Sequence, residues 1–349
     1  MGGWRAAVGG AFAVVTVGVG GLLVMSDRGT ADPAPTSVRL VRPSVSPSTP
    51  SVSPSTQAPR KPTADRFYAD PQTAAARWVA ENPDDPWAEV IRERIAQVPQ
   101  GRWFTQPDIA TVRAEVDQYV RAAEAANSVP ILVVYNIPNR DCSGASSGGM
   151  PTHEAYREWV EQVAAGLGGR PAAIVLEPDV LALMSNCLDP AAQARVKASV
   201  AYAVKRLKAG SAKARVYVDA GHSNWLPPAE MAARLVGAGV EGSDGIATNV
   251  SNYRATRDEV TYARKVLAAI GSSRLRAVVD TSRNGNGPRG DEWCDPKGRA
   301  VGTPTTAATG DARVAAFLWV KPPGESDGCV AQAGRFVPER AYELATAKS

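Results

Sequence analysis

Five acidic residues follow short apolar runs, and their placement points to acid–base chemistry before any fold is assigned. Ile131–Tyr135 leads to Asp141, Ile174–Leu176 runs through Glu177 and Pro178 to Asp179, and Val216–Val218 is followed by Asp219. Asp280 follows Val279, while Leu318–Val320 gives way to Lys321, Glu325 and Asp327. Any one Asp after a strand is explained equally well as a cap for the next helix. Five such loops converging on one cleft carry more weight, because crowded carboxylates repel and the pKa of at least one is pushed upward. A protonated carboxyl beside an ionised one suits hydrolysis of a glycosidic bond.

Aromatic residues share these loops. Seven of the eight Trp lie beyond residue 63, and Trp225, Trp293 and Trp319 fall within or beside the strand-end segments. Sugar rings stack their C–H faces on aromatic planes while their hydroxyls bond carboxylates, amides and cationic side chains. Trp319, inside an apolar run, reads as core.

Other chemistries find little material. His153 and His222 are the only histidines, too few for a His-rich zinc site or an evident Ser-His-Asp triad. The Gly-rich pieces Ser143–Gly149 and Asn284–Gly290 contain no GxxxxGK[ST] and no GxGxxG between strand and helix, and no GxSxG elbow follows a strand. The 349 residues hold 39 Lys or Arg and 35 Asp or Glu, a net charge of +4. Residues 1–63 hold six basic and two acidic residues, which accounts for all of that excess and leaves 33 against 33 beyond them. A neutral domain offers no electrostatic footprint for nucleic acid.

The apolar runs alternate with segments of helical length: Pro71–Ala80, Ile109–Ala126, His153–Gly166, Pro190–Ala209, Pro228–Val240, Asp258–Ala269 and Pro338–Ala347. This alternation predicts parallel strands joined by crossover helices, as a barrel or an open doubly wound sheet, and such folds place their sites at the carboxyl ends of strands. Ahead of this domain, Ala6–Met25 is a stretch of twenty uncharged residues behind Arg5, which makes residues 1–31 a signal peptide or an N-terminal membrane anchor. Residues 32–63 are a Pro/Ser/Thr-rich linker in which PSVSPST occurs at 43–49 and again at 50–56. Cys142, Cys187, Cys294 and Cys329 show no CxxC spacing; with an export signal they read as two disulfides, with three pairings possible.

The strand-end sequences resemble glycoside hydrolase family 6, the cellulases that include cellobiohydrolases and endoglucanases. VVYNIPNRDCSGASSGG at 133–149, AIVLEPDVLA at 173–182, VDAGHSNW at 218–225, ATNVSNY at 247–253 and LWVKPPGESDGC at 318–329 carry the resemblance, which covers essentially all of 64–349. It implies an α/β fold, a distorted parallel (β/α) barrel with fewer than eight regular strands in a single domain. The implied activity is hydrolysis of β-1,4-glucan with inversion, with no cofactor and no metal. Together with the N-terminal stretch and the neutral domain this leads to the expectation of a monomer that is secreted or tethered to the membrane through residues 6–25 and binds no nucleic acid. In the matching motifs Asp179 is the general acid and Asp141 the neighbouring carboxylate that keeps it protonated or relays a proton from water. Asp327 is the candidate base, Tyr135 distorts the reacting sugar, and Ser147 positions water. Substrate-contact positions are Asp219, His222, Trp225, Asn249, Trp293, Lys321 and Glu325. The resemblance also selects the pairings Cys142–Cys187 and Cys294–Cys329. Their separations of 45 and 35 residues match the short, open-cleft form, so endo action is expected, with exo action or a non-catalytic carbohydrate-binding role as alternatives.

Overall fold

A computed structural model describes residues 66–142 and 144–348. The apolar stretch 6–25, its signal-or-anchor reading and most of the linker lie outside the described residues. Among those described, no helix is long and apolar enough to cross a membrane.

Seven parallel strands pair in sequence order: β1 Gly101–Phe104, β2 Ile131–Val134, β3 Ala173–Leu176, β4 Arg215–Asp219, β5 Gly245–Thr248, β6 Arg276–Asp280 and β7 Val314–Leu318. Around them run α1 Ala74–Glu81, α2 Ala88–Ile91, α3 Val112–Ala125, α4 His153–Leu167, α5 Val180–Cys187, α6 Pro190–Gly210, α7 Pro228–Gly237, α8 Thr256–Ile270 and α9 Pro338–Thr346. Every residue of β2, β3 and β5 is buried, as expected of parallel strands covered by helices on one side and by the barrel interior on the other. The sheet curls until its edges meet just beyond β7, where Gln100 bridges Trp319 and the Gly101 N–H donates to the Trp319 carbonyl at 2.8 Å. A Cβ on Gly101 would lie 2.5 Å from the Val320 carbonyl oxygen, so this seam closes only over a glycine.

The resulting barrel is distorted and has fewer than eight strands, as the family resemblance implies. Five of its strands match the apolar runs; β1 and β5 do not. Gly245 opens β5 at a point where a Cβ would sit 1.6 Å from the Arg276 carbonyl oxygen, so close packing puts glycine where β propensity wants a branched residue. Helix boundaries follow local chemistry. Thr73 and Thr152 cap α1 and α4 with their hydroxyls, Asp189 caps α6 ahead of Pro190, and Gly168 and Gly271 end α4 and α8 in left-handed conformation. Trp319 is fully buried in a second core between α1, α2 and α9.

Candidate active site

The carboxyl ends of the seven strands open into a cleft of about 1180 Å³. Non-glycine residues with positive φ cluster there: Asn139, Asp141 and Cys142 after β2, Glu177 and Asp179 after β3, and Asn249 and Ser251 after β5. Such conformations persist where surrounding contacts over-determine the backbone, and they gather at functional sites.

Asp179 occupies the N-cap of α5 at φ 67°, yet its side chain makes no capping bond and faces the cleft instead. Its N–H donates to Asp219 Oδ2 at 3.0 Å, which fixes the turn. Desolvation raises the Asp179 pKa to about 7, repulsion from Asp141 and Asp327 adds to the rise, and Lys321 opposes it. The carboxyl is thus protonated in mildly acidic water, as a general acid must be. Asp219, at the base of the same turn, is itself pushed up by burial and by Asp179, although N–H groups of Gly221 and Asp179 donate to it. It supports the turn from below and does not line the cleft.

Asp141 accepts the Ser146 N–H at 2.8 Å and the Ser146 hydroxyl at 2.9 Å. The same hydroxyl lies 3.1 Å from the Tyr135 OH. Arg140 binds this loop together, donating to the carbonyls of Tyr135 at 2.5 Å, Thr105 at 2.9 Å and Ser146 at 3.0 Å, with its guanidinium 4.8 Å from the Tyr135 ring centroid. Cys142 pairs with Cys187 at the far end of α5, so one disulfide joins the Asp141 loop to the helix that Asp179 opens. Ser147, expected to position water, lies exposed on the cleft wall, and its neighbour Ser146 holds Asp141.

Across the cleft, Arg283 donates a 2.9 Å hydrogen bond to Asp327 Oδ2 and makes an ion-pair contact of 2.9 Å with Oδ1. Oδ2 also accepts the Tyr253 hydroxyl at 3.0 Å and the Asp295 N–H at 3.1 Å, while Lys321 Nζ lies 3.9 Å from Oδ1. Oδ2 thus accepts three donors, and Oδ1 faces two cations. Glu325 has no side-chain hydrogen bond among the described residues; burial raises it to about 7 against the pull of Lys321, Arg283 and Arg77. Cys294 and Cys329 form the second disulfide.

Aromatic surfaces flank the acids. Trp293 is 55% exposed at the rim, and Trp225 lies 5.0 Å from the His222 ring. Burial, helped by Arg254, pushes the His222 pKa down to about 4, so the ring is neutral and Nδ1 can accept the Asn224 N–H at 3.3 Å. Trp103, 5.6 Å from Tyr135 and edge-on to it, also lines the cleft.

Three expectations need correcting. Asp219, expected among the substrate contacts, is buried beneath the Asp179 turn and does not line the cleft. Asn249 is not at the surface of the cleft: fully buried, it donates to the carbonyls of Asp280 at 2.8 Å and Arg254 at 3.3 Å and accepts the Arg254 N–H at 3.0 Å, leaving nothing for a sugar. Asp280 adds no free acid either. Its two oxygens accept four backbone N–H groups, those of Ser251, Ser282, Val320 and Lys321, which ties β5, β6 and β7 together at their carboxyl ends. Sequence reasoning overlooked Ser146, Tyr253, Arg283, Asp295 and Trp103. Ser146, Tyr253 and Arg283 stand in the quoted segments or directly after a strand, but only the fold reveals their partners.

A model of glycosyl hydrolases family 6 matches residues 59–349. The chain belongs to this family. It is 62% identical over 280 residues to Endoglucanase A of Thermobispora bispora, covering 80% of this chain and 61% of that protein. Endoglucanase 1 of Streptomyces sp. (strain KSM-9) is 49% identical over 270 residues, covering 77% of this chain and 75% of that one. Among solved structures, the endoglucanase Cel6 from Mycobacterium tuberculosis, in complex with methyl-cellobiosyl-4-deoxy-4-thio-β-D-cellobioside, is similar at a TM-score of 0.76 and 43% identity over 80% of this chain and 96% of that one. This family 6 chain therefore spans about 61% of the length of its Thermobispora bispora relative.

Proposed function

We propose that residues 64–349 form the catalytic domain of an exported endo-β-1,4-glucanase that cleaves cellulose or a related β-glucan with inversion. The observation that carries this reading is Asp179, uncapping and cleft-facing, with its pKa raised to about 7 beside Asp141. The Asp179 O–H donates its proton to the glycosidic oxygen as the C–O bond to the anomeric carbon breaks. A water molecule attacks that carbon from the opposite face and its proton passes to Asp141 through a second water, while Ser146 holds Asp141 ready. Asp327 holds charge and structure at the far wall. Tyr135 presses on the reacting ring, Trp225 and Trp293 provide stacking platforms, and His222, Lys321 and Glu325 hydrogen-bond sugar hydroxyls.

An open cleft and the short disulfide-bounded segments of 45 and 35 residues support attack in mid-chain over threading from an end. Residues 1–31 then serve as signal peptide or tether and 32–63 as linker, with the domain working as a monomer. Incubating the purified protein with carboxymethyl cellulose, other β-glucans and chitin tests this directly. Viscosity is expected to fall well ahead of reducing-sugar release on carboxymethyl cellulose; viscosity loss that only parallels sugar release would make the enzyme exo-acting.

A further inference from the structure

Asp295 lies outside the acid pair and has no part in the proton transfers, yet its carboxylate accepts four hydrogen bonds and its N–H donates a fifth. Its backbone sits at φ 49°. Asp295 and Asp327 exchange bonds: the Asp295 N–H donates to Asp327 Oδ2 at 3.1 Å and the Asp327 N–H donates to Asp295 Oδ1 at 2.9 Å. Asp295 Oδ2 accepts three further donors, the Ser326 hydroxyl at 2.7 Å and the N–H groups of Cys329 at 3.0 Å and Val330 at 3.1 Å. Burial works against its charge, but these donors outweigh it and hold the carboxyl below the usual aspartate range. Asp295 is therefore an anion that gathers the loop after β7 onto the loop after β6.

We infer that Asp295 is a positioning residue of the active site, holding Asp327 in register with Arg283 while fixing beside it the segment that presents Trp293. The charged and titratable groups facing Asp327 are Arg283 from the loop after β6, Lys321 from its own loop, Tyr253 from the loop after β5, Asp295 itself and Asp179 across the cleft. Cys294–Cys329 joins the same two loops by covalent means. Arg283 and Tyr253 bind the Asp327 carboxylate, and Asp295 adds the bonds that hold both its backbone and its Oδ2 in place.

The inference rests on Asp179 as the acid, and the test separates the two. Asp295→Asn keeps the size and the tolerance of left-handed backbone but offers one acceptor oxygen where the native side chain uses two. Its kcat/KM on a soluble β-glucan is expected to drop about 10- to 100-fold, mostly in kcat. The alkaline limb of its pH profile is expected to move to lower pH, because a displaced Asp327 no longer helps keep Asp179 protonated. Ser326→Ala, which removes one Asp295 partner, should move the same limb in the same direction by less. A profile unchanged in both variants, with any loss of rate tracking loss of thermal stability, would make Asp295 purely structural and overturn the inference. If Asp295→Asn does not fold, the Ser326→Ala limb alone decides. Wild-type protein inactive on every β-glucan would instead sink the functional reading itself.

Discussion

Asp179 and Asp280 both mark the carboxyl end of an apolar parallel strand, and their surroundings give them opposite duties. Four backbone N–H groups occupy Asp280, so its oxygens hold three strands together and are unavailable for chemistry, while burial pushes its pKa up. Among the described residues Asp179 has no donor on its side chain, and it has two acidic neighbours, so it keeps its proton until the solution nears pH 7. The sign of each neighbour's effect is testable. Asp141→Asn removes a repulsive charge, lowers the Asp179 pKa and should shift the alkaline limb of kcat/KM to lower pH, along with a loss of rate. Lys321→Ala removes a cation that stabilises ionised Asp179, so its alkaline limb should move to higher pH. Limbs moving together, or not at all, would show that Asp179 does not set them.

At the scale of elements, much of the architecture was legible. Alternating apolar runs and helical segments led to a parallel α/β fold, and five runs became β2, β3, β4, β6 and β7. The two strands that escaped, GRWF and GIAT, are four residues long and begin with glycines that close packing demands at Gly101 and Gly245. Hydrophobic patterning reports burial of side chains, and it is silent where backbones touch. The site divides along the same line. Asp141, Asp179 and Asp327 line the cleft from strand ends, where spacing put them, and Lys321 and Glu325, which the family resemblance added, line it too. Asn249 and Asp280 turned inward because buried backbone groups needed partners from neighbouring strands, and Arg283 and Asp295 matter through residues 44 and 32 positions away. Pairings of that range leave no local mark in a sequence.

Considered whole, the molecule buries several acids that serve cleft geometry at a cost to stability. Glu177 accepts the N–H groups of Asn136 and Ile137 beneath the Asp141 loop, and Glu259 accepts the Ser223 N–H behind the His222 loop. Burial raises both, and Glu325 with them, from 4.5 to about 7. A group with a raised folded pKa binds its proton more tightly in the native state, so its contribution to stability is complete below pH 4.5 and is lost as pH rises through 7. Thermal unfolding followed across that window should show Tm falling toward neutral pH; a Tm that rises through it would mean these acids are ionised in the native protein. The central claim, an acidic cleft that hydrolyses glucan through Asp179, meets its most direct test in Asp179→Asn assayed on unactivated β-glucan with cello-oligosaccharide affinity measured in parallel. The expected result is a kcat lower by about 10²- to 10⁴-fold with affinity essentially unchanged; a variant that kept most of its activity would contradict the account.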